Sequence, residues 1–321
     1  MIAILQDSDN KQFFFNNILD FNVTSNIQSP VAQLAITFIS NSFYYPKFTD
    51  IQLNYKNHNI FNGKIDEQIT SKTPQGTVIK IFARSAAFLL LDNQAQPQMY
   101  NHISLNDILT KHIYPYGFSF NYNNPAELFC YLPKFTVFTA TSEWSVLKTF
   151  TAEALNLFPF ILNNKDIYLS NSFPNSKLTI SNNSKSTNNL SSTLFNYSSI
   201  TINTKNFGII SDVFVKQPDN SFTHITNDLA VNKNIKAKRF SCLSTNKIKN
   251  TLASQNQKYF SISVTLPNII PTATGNTIAI IDDIIPTIYH NKQFIINELA
   301  YVFTNSKLIS NLKLTPTTPL I

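Results

Sequence analysis

Residues 51–92 read IQLNYKNHNIFNGKIDEQITSKTPQGTVIKIFARSAAFLLLD. Ile51, Leu53 and Tyr55 alternate with polar residues, the period of a half-buried strand. Asn57-His58-Asn59 turns the chain, and Ile60–Ile65 runs back with Gly63 inside it. A glycine within a strand marks a bulge or a close backbone approach. Lys72-Thr73-Pro74-Gln75-Gly76 has the composition of a turn, and Val78–Phe82 follows as a strand. Ser85 is placed to cap a short helix over AAFLLLD. Upstream, Ile18–Val23 makes a short strand, and Val31, Leu34, Ile36 and Phe38 mark a longer one. Short strands with turn signals about every ten residues predict a small barrel or sandwich over residues 1–94.

Residues 95–170 change period. Ser104-Leu-Asn-Asp107 has the form of a capping box with Asp in its last place, and Leu105, Ile108, Leu109 and His112 share one helical face. Gly117 ends that helix, and Phe118-Ser-Phe120 is strand-like. The pattern then recurs weakly. Thr141-Ser142-Glu143 opens a second helix, with Glu143 in the first turn where the helix dipole favours an acid. Trp144, Leu147, Phe150, Thr151 and Ala154 follow at helical spacing, which makes the single tryptophan a core residue. Leu157–Leu162 and Ile167–Leu169 are strands around Asn163-Asn164-Lys165. Residues 171–321 return to β-structure, with strands expected at 196–203, 209–216, 235–241, 259–266, 277–281 and 293–303. A helix near 245–257, capped by Ser244 or Thr245, interrupts them, and Gly275-Asn276 makes a turn. The Asn/Ser-rich segment 181–203 reads as a polar loop running into a strand.

Composition sets the class. Of the 321 residues 43% are hydrophobic and 13% charged, and there are 27 Phe and 13 Tyr. Disorder needs the opposite balance, so the chain packs a core. Five glycines and no sustained heptad exclude collagen and coiled coil, and no run approaches the ~18 apolar residues of a membrane helix. The opening MIAILQDSDNKQFFF has neither the basic nor the apolar segment of a secretory signal. Cys130 and Cys242, far apart and without CxxC, fit packed thiols in a reducing compartment.

The net charge of +7 is uneven. Residues 1–166 hold 11 basic and 12 acidic side chains, residues 167–281 hold 11 and 3, and residues 282–321 hold 3 and 3. Between Asp228 and Asp282 there is no acid, while Lys233, Lys236, Lys238, Arg239, Lys247, Lys249 and Lys258 fall there. Such a segment is either a solvated face or a surface for a polyanion or acidic partner. With one Arg among the seven, bidentate base recognition is disfavoured and only non-specific phosphate proximity remains.

No catalytic motif is present: GxSxG, HExxH, GxxxxGK[ST] and GxGxxG are all absent. His58, His102, His112, His224 and His290 are scattered, none at metal-ligand spacing with another ligand. The adjacent acids Asp66-Glu67 and Asp282-Asp283 would point to opposite strand faces and read as turn or edge residues rather than an acid/base couple.

Five stretches, in this order, resemble the baseplate hub proteins of contractile-tailed phages, the Mu-type and late-control-D-type tail proteins. They are Phe61-Asn-Gly63-Lys-Ile-Asp66 with Ile81-Phe-Ala-Arg84 through Leu91-Asp92 ahead of Pro97; Ser104–Leu109 running to Gly117-Phe118; Trp144-Ser-Val-Leu147; Ser211–Lys216 with Arg239; and Gly275-Asn276 leading to Asp282 and Phe294–Tyr301. The scarcity of Arg and Gly, and the Asn/Ser-rich stretch 181–194, depart from that family's pattern. The resemblance implies a mainly β fold with an α+β insert: two related β-barrel tube domains at 1–94 and 171–321 flanking a smaller α/β domain at 95–170. It implies a structural homotrimer whose six barrels join a sixfold tail tube to a threefold spike, without enzymatic activity, cofactor or metal. The implied partners are the tail tube protein, the central spike protein and the tape-measure protein, with non-specific DNA passage and no membrane insertion. The implied location is the virion tail baseplate, assembled in the host cytoplasm. On this reading Lys233, Lys236, Lys238, Arg239, Lys247 and Lys249 become candidates for channel or partner contact. Two rival readings are a tail-associated cell-wall hydrolase and a carbohydrate-binding or adhesion module.

Overall fold

A computed structural model describes all of the chain except residues 41–44, 57, 75, 163, 183–192, 206, 218, 242–247, 249–251, 253–254, 257–258, 291, 305 and 318–321, and the side chain at 288. Seven strands come first: β1 (Ile2–Asp7), β2 (Gln12–Phe15), β3 (Ile18–Asn26), β4 (Ser29–Ser40), β5 (Phe48–Tyr55), β6 (His58–Thr73) and β7 (Gly76–Ser85). β2 and β3 form one bent run, whose first half pairs with β1 and whose second half pairs with β4. From β4 the neighbours are β7, β6, β5 and again β1, so six antiparallel strands close on themselves. Every second residue points inward and is apolar: Leu34, Ile36 and Phe38 on β4, Ile79, Ile81 and Ala83 on β7, Ile51 and Leu53 on β5, all buried. Each buried Leu, Ile or Phe here contributes about 1.5–3 kcal/mol.

Gly63 lies where two strands come too close for a side chain. A Cβ there would stand 2.2 Å from the Arg84 carbonyl oxygen. The strand bulges just beyond it, between Ile65 and Glu67. Asp66, the bulged residue, accepts from Arg84 Nε at 2.8 Å and Nη2 at 3.1 Å. The same guanidinium donates to Asp92 at 3.1 and 2.9 Å. Both carboxylates hold the Arg84 pKa above its ordinary value, through hydrogen bonds to Asp66 and then Asp92. Asp92 ends α1 (Phe88–Asp92), so this one side chain fastens the first barrel to the helix that leaves it. Ser85 does not cap α1, contrary to expectation. As the buried last residue of β7 its hydroxyl is turned to β4, where it accepts from Ala32 N at 3.0 Å, and Ala87 holds the N-cap position of α1, which has no side-chain cap.

The segment after α1 contains β8 (Gln98–Ser104), α2 (Leu105–His112), β9 (Ser119–Phe120), β10 (Tyr131–Val137), α3 (Glu143–Ala154), β11 (Pro159–Leu162) and β12 (Asp166–Leu169). β8 pairs with β10, β9 runs parallel to β12, and α2 packs on α3. Ser104 and Asp107 make the reciprocal capping box, Ser142 caps α3 through Ser145 N, and Gly117 closes the turn after α2 at φ 77°. Trp144, Leu147 and Phe150 pack with Leu90, Ile108 and Leu109 in one core.

The remainder holds β13 (Asn175–Ile180), β14 (Thr193–Phe195), β15 (Ser199–Thr204), β16 (Asp212–Lys216), β17 (Phe222–Thr226), α4 (Asp228–Asn232), β18 (Lys238–Ser241), β19 (Phe260–Leu266), β20 (Thr277–Ile280), β21 (Gln293–Thr304) and β22 (Lys307–Pro316). β13, β17, α4 and β22 are not expected from the sequence pattern. The helix expected at 245–257 is present at Ile248, Leu252, Gln255 and Asn256, while its caps Ser244 and Thr245 lie outside the described residues. Taken in chain order, β13, β14, β15, β19, β20, β21 and β22 repeat every pairing of β1 to β7. β14 and β15 again make one run split between two partners. The bulge is repeated too, between Ile296 and Glu298, and the bulged Asn297 Nδ2 donates to Thr315 Oγ1 at 2.8 Å, where the first barrel has Asp66 and Arg84. One strand differs in direction. β13 runs parallel to both neighbours, while β1 is antiparallel to both. The fold is therefore mainly β, two related six-strand barrels around an α/β insert, with β16–β18, α4 and the helical residues as a second small insert between β15 and β19.

Gly63→Ala is expected to cost about 1–3 kcal/mol by forcing β6 away from β7. A thermal-unfolding midpoint equal to that of the unaltered protein would contradict this packing.

Candidate assembly surface

Among the described residues each barrel leaves, besides the free side of the short strand β2 or β14, two longer half-edges without partners in its own ring. β1 covers only the β2 half of the bent run, and β5 covers β6 only as far as Lys64. β3 and the end of β6 are therefore open, as are β15 and the end of β21 in the second barrel. Two of the four meet within the chain: Glu298–Phe303 of β21 pairs antiparallel with Phe21–Asn26 of β3. Ile27 N extends the seam to Asn297 O at 2.8 Å. The result is one continuous antiparallel layer, in the order β6-β7-β4-β3-β21-β22-β19-β15.

One face of this layer supplies both barrel cores through Val23, Leu34, Leu299, Tyr301, Ile262 and Leu312, all buried. The other is mostly polar, with Ile69, Lys80, Phe82 and Arg84 on β6 and β7 at the first-barrel end. Between the barrels that face is hollowed into a groove of about 540 Å³, lined by Thr24, Gln33, Ser263, Thr265, Ala300 and Asn311 among others. Thr265 Oγ1 donates to Asn311 Oδ1 at 3.0 Å. The charged residues in the lining, Glu298 and Lys313, neutralise each other at 2.7 Å. The groove is thus polar with its charges balanced, without the field that holds a polyanion.

The basic segment lies elsewhere, in the small insert. Lys233 follows α4 and stands 5.7 Å from the Tyr259 ring centroid, and Lys236 is exposed in the loop beyond. Lys238 and Arg239 are consecutive on β18 and so point to opposite faces of its sheet. Lys247 and Lys249 lie outside the described residues. The four described cations thus do not form one basic wall. What the insert does expose is aromatic. Phe214, His224 and Phe240 are cross-strand neighbours, with ring centroids 4.6 Å and 5.3 Å apart, and Phe240 is 72% exposed. Asp212, beside them, is held below the ordinary carboxylate range by hydrogen bonds from Ser211 and then His224. The alternation Phe214-x-Lys216, Phe222-x-His224 and Lys238-x-Phe240 carries that signal in the sequence, where it is masked by the general abundance of Phe.

A buried polar cluster joins α2 to α3. His112 Nδ1 lies 2.6 Å from Glu143 Oε2, Tyr100 Oη lies 3.0 Å from His112 Nε2, and Tyr116 donates to Glu143 Oε1 at 3.1 Å. His112 and Glu143 are buried, and burial pushes the Tyr100 and Tyr116 hydroxyls up, so both stay protonated. Every member faces another member, which makes the cluster a brace between helices. Asp66-Glu67 and Asp282-Asp283 also resolve as bulge and turn: Asp282 accepts from Tyr197 Oη at 2.5 Å and from Ile284 N at 3.1 Å. Among the described residues no group of His, Cys, Asp and Glu could hold a metal ion, and no helix is long and apolar enough to cross a membrane.

Two barrels of one strand order, joined edge to edge and carrying an α/β insert, define the fold class. Solved structures of tail proteins share it. The 43 kDa tail protein of prophage MuSo2 from Shewanella oneidensis is 10% identical, with a TM-score of 0.75 and 100% of each chain covered. A tail protein from Neisseria meningitidis MC58 is 13% identical, with a TM-score of 0.70, 98% of this chain and 95% of that chain covered. The E. coli c3393 protein, a type VI secretion component described as similar to the T4 bacteriophage tail proteins gp27 and gp5, is 9% identical at a TM-score of 0.61, with 94% and 73% covered. No protein-family model and no curated protein matches the chain.

Glu143→Ala would strand two buried hydrogen-bonding groups, at about 1–3 kcal/mol each. Chemical denaturation should show a loss of about 2–6 kcal/mol, and a loss below about 0.5 kcal/mol would mean that the cluster does not brace the helices.

Proposed function

We propose that this chain is a structural subunit of a phage or phage-like tail, the baseplate hub, and that three copies form a ring joining a sixfold tail tube to a threefold central spike. The observation that carries the reading is the repeated strand order of the two barrels, which lets one chain supply two similar positions on a ring. Three chains then supply six. The division into tube domains at 1–94 and 171–321 around an α/β domain at 95–170 belongs to this reading. The fold shared with tail proteins supports it, as does the absence of any catalytic motif from the sequence.

The charge-balanced groove between the barrels suits the ring's inner wall. A wall that gripped phosphates would stall a passing DNA or bind a tape-measure protein too tightly. The basic and aromatic insert, with Lys233, Lys236, Lys238 and Arg239, is then a contact for the tube or spike protein rather than the wall itself. The chain works without cofactor or chemistry, in the tail of the particle, after assembly in the host cytoplasm.

Tails purified from a producing host should contain this chain at three copies each, and the isolated assembly should have a mass near three times 36.4 kDa. Six copies, or absence from the tail, would refute the role. Reversal of Lys236, Lys238 and Arg239 to Glu should impair assembly or infection while leaving the fold intact; normal particles with normal ejection would dismiss the insert as a contact.

A further inference from the structure

The internal seam has a register that the two open edges could repeat. Residue correspondence between the barrels comes from their registers. Val23 pairs with Leu34, Leu34 with Ala83, and Ala83 with Ile65; Ile202 pairs with Ile262, Ile262 with Leu314, and Leu314 with Ile296. Ile202 therefore holds the place of Val23, and Ile65 that of Ile296. Glu67 thus stands for Glu298, both directly after the bulge, and Lys205 stands for Asn26. In the internal seam Glu298 faces Asn26, Ala300 faces Thr24 and Val302 faces Asn22.

The two edges left over are β6 beyond its bulge and β15. From Glu67 to Thr73, β6 pairs with β7 alone, and from Ser199 to Thr204, β15 pairs with β19 alone. Lys205 continues β15, its N–H bonded to Tyr259 O at 2.8 Å. The counterpart of Ile69 within the chain, Ala300, is half-buried beside β3, whereas Ile69 is 42% exposed. An exposed edge with an apolar residue is a template for another strand. Direction fits as well: the strands of the layer alternate, so its first and last strands run oppositely, and rotation about a ring axis preserves that relation.

We propose that Glu67–Lys72 of β6 in one copy pairs antiparallel with Ile200–Lys205 of β15 in the next copy, with Glu67 opposite Lys205, Ile69 opposite Asn203 and Ser71 opposite Thr201. This rests on the ring reading above and names its contact. Charge agrees with the register: among the described residues neither Glu67 nor Lys205 has an ion-pair partner, and the pairing sets them face to face. Opposite charges directly across two strands favour pairing, and like charges oppose it. A second copy is the occupant argued for, because the internal seam already shows one barrel accepting this pairing from its equivalent.

The test uses tails purified from cells in which the chain carries Ile69→Cys and Asn203→Cys, with Cys130 and Cys242 changed to Ser. Residues directly opposite in antiparallel strands have Cα atoms about 4.5–5.5 Å apart, within disulfide reach. Oxidation should give a denaturing-gel ladder that stops at three chains. The pair Ile69→Cys with Thr204→Cys, whose side chains point to opposite faces, should give at least tenfold less. Equal cross-linking of both pairs overturns the register. Tails with three copies and no cross-link overturn the contact and leave the ring reading standing, and cross-linking to a different tail protein would give the edge to that partner. If the unaltered chain is absent from tails, the ring reading falls and this contact with it. Where the cysteine variant is not incorporated, charge decides: Glu67→Lys and Lys205→Glu should each reduce incorporation several-fold, and the two together should restore it. Failure of the double reversal to restore it overturns the pairing.

Discussion

An open strand edge is the constraint on which this molecule is organised. Backbone N–H and C=O groups along an edge are either paired, covered or left as a binding surface. Each barrel closes with a bent run shared between two partners, β2/β3 in one and β14/β15 in the other. That closure cannot satisfy both sides of the run along its length. It leaves one half-edge on the run and another on the long strand beyond its bulge. Joining β3 to β21 satisfies two of the four and makes one layer from two barrels.

The rest of the structure serves to keep that layer in shape. The bulges at Asp66 and Asn297 sit where β6 and β21 leave the partners of their first halves. A bulge bends the strand it interrupts, which suits a strand that must pass from one neighbour to another. Charge is used at the first bulge, where Arg84 also has to reach Asp92 on α1, and a neutral Asn–Thr bond serves at the second. The α/β insert has a core and a polar brace of its own, and it meets the barrels where Phe160 and Leu162 pack with Ile27 and Ile295.

Much of the fold is legible in the sequence because strand alternation and helix capping are local. Ile51 and Leu53, Ile79 and Ile81, and the run 293–303 declare their inward faces, and Ser104 and Ser142 declare the helix starts. Partners are not local. Nothing along the chain says that β21 lies beside β3, or that His112 meets a carboxylate on the next helix. β13 escapes notice because its inward Leu178 and Ile180 are too few to show a period, and β22 because Ser310, Asn311 and Lys313 interrupt its apolar residues. The residues that carry the family resemblance fare better than their weak individual signal suggests: Asp66, Arg84 and Asp92, well separated along the chain, are one hydrogen-bonded network. In the basic segment strand alternation puts Lys238 and Arg239 on opposite faces, and beside them the insert exposes a row of aromatic rings.

On the proposed hub reading, a chain with two barrels of one strand order would turn a threefold ring into a near-sixfold one by covalent linkage alone. Electron-microscopic averaging of the isolated ring, viewed down its axis, examines that directly. The account predicts six lobes at nearly even angular spacing, alternating in detail so that the true symmetry is threefold. Three lobes, or a particle without a central channel, would contradict it.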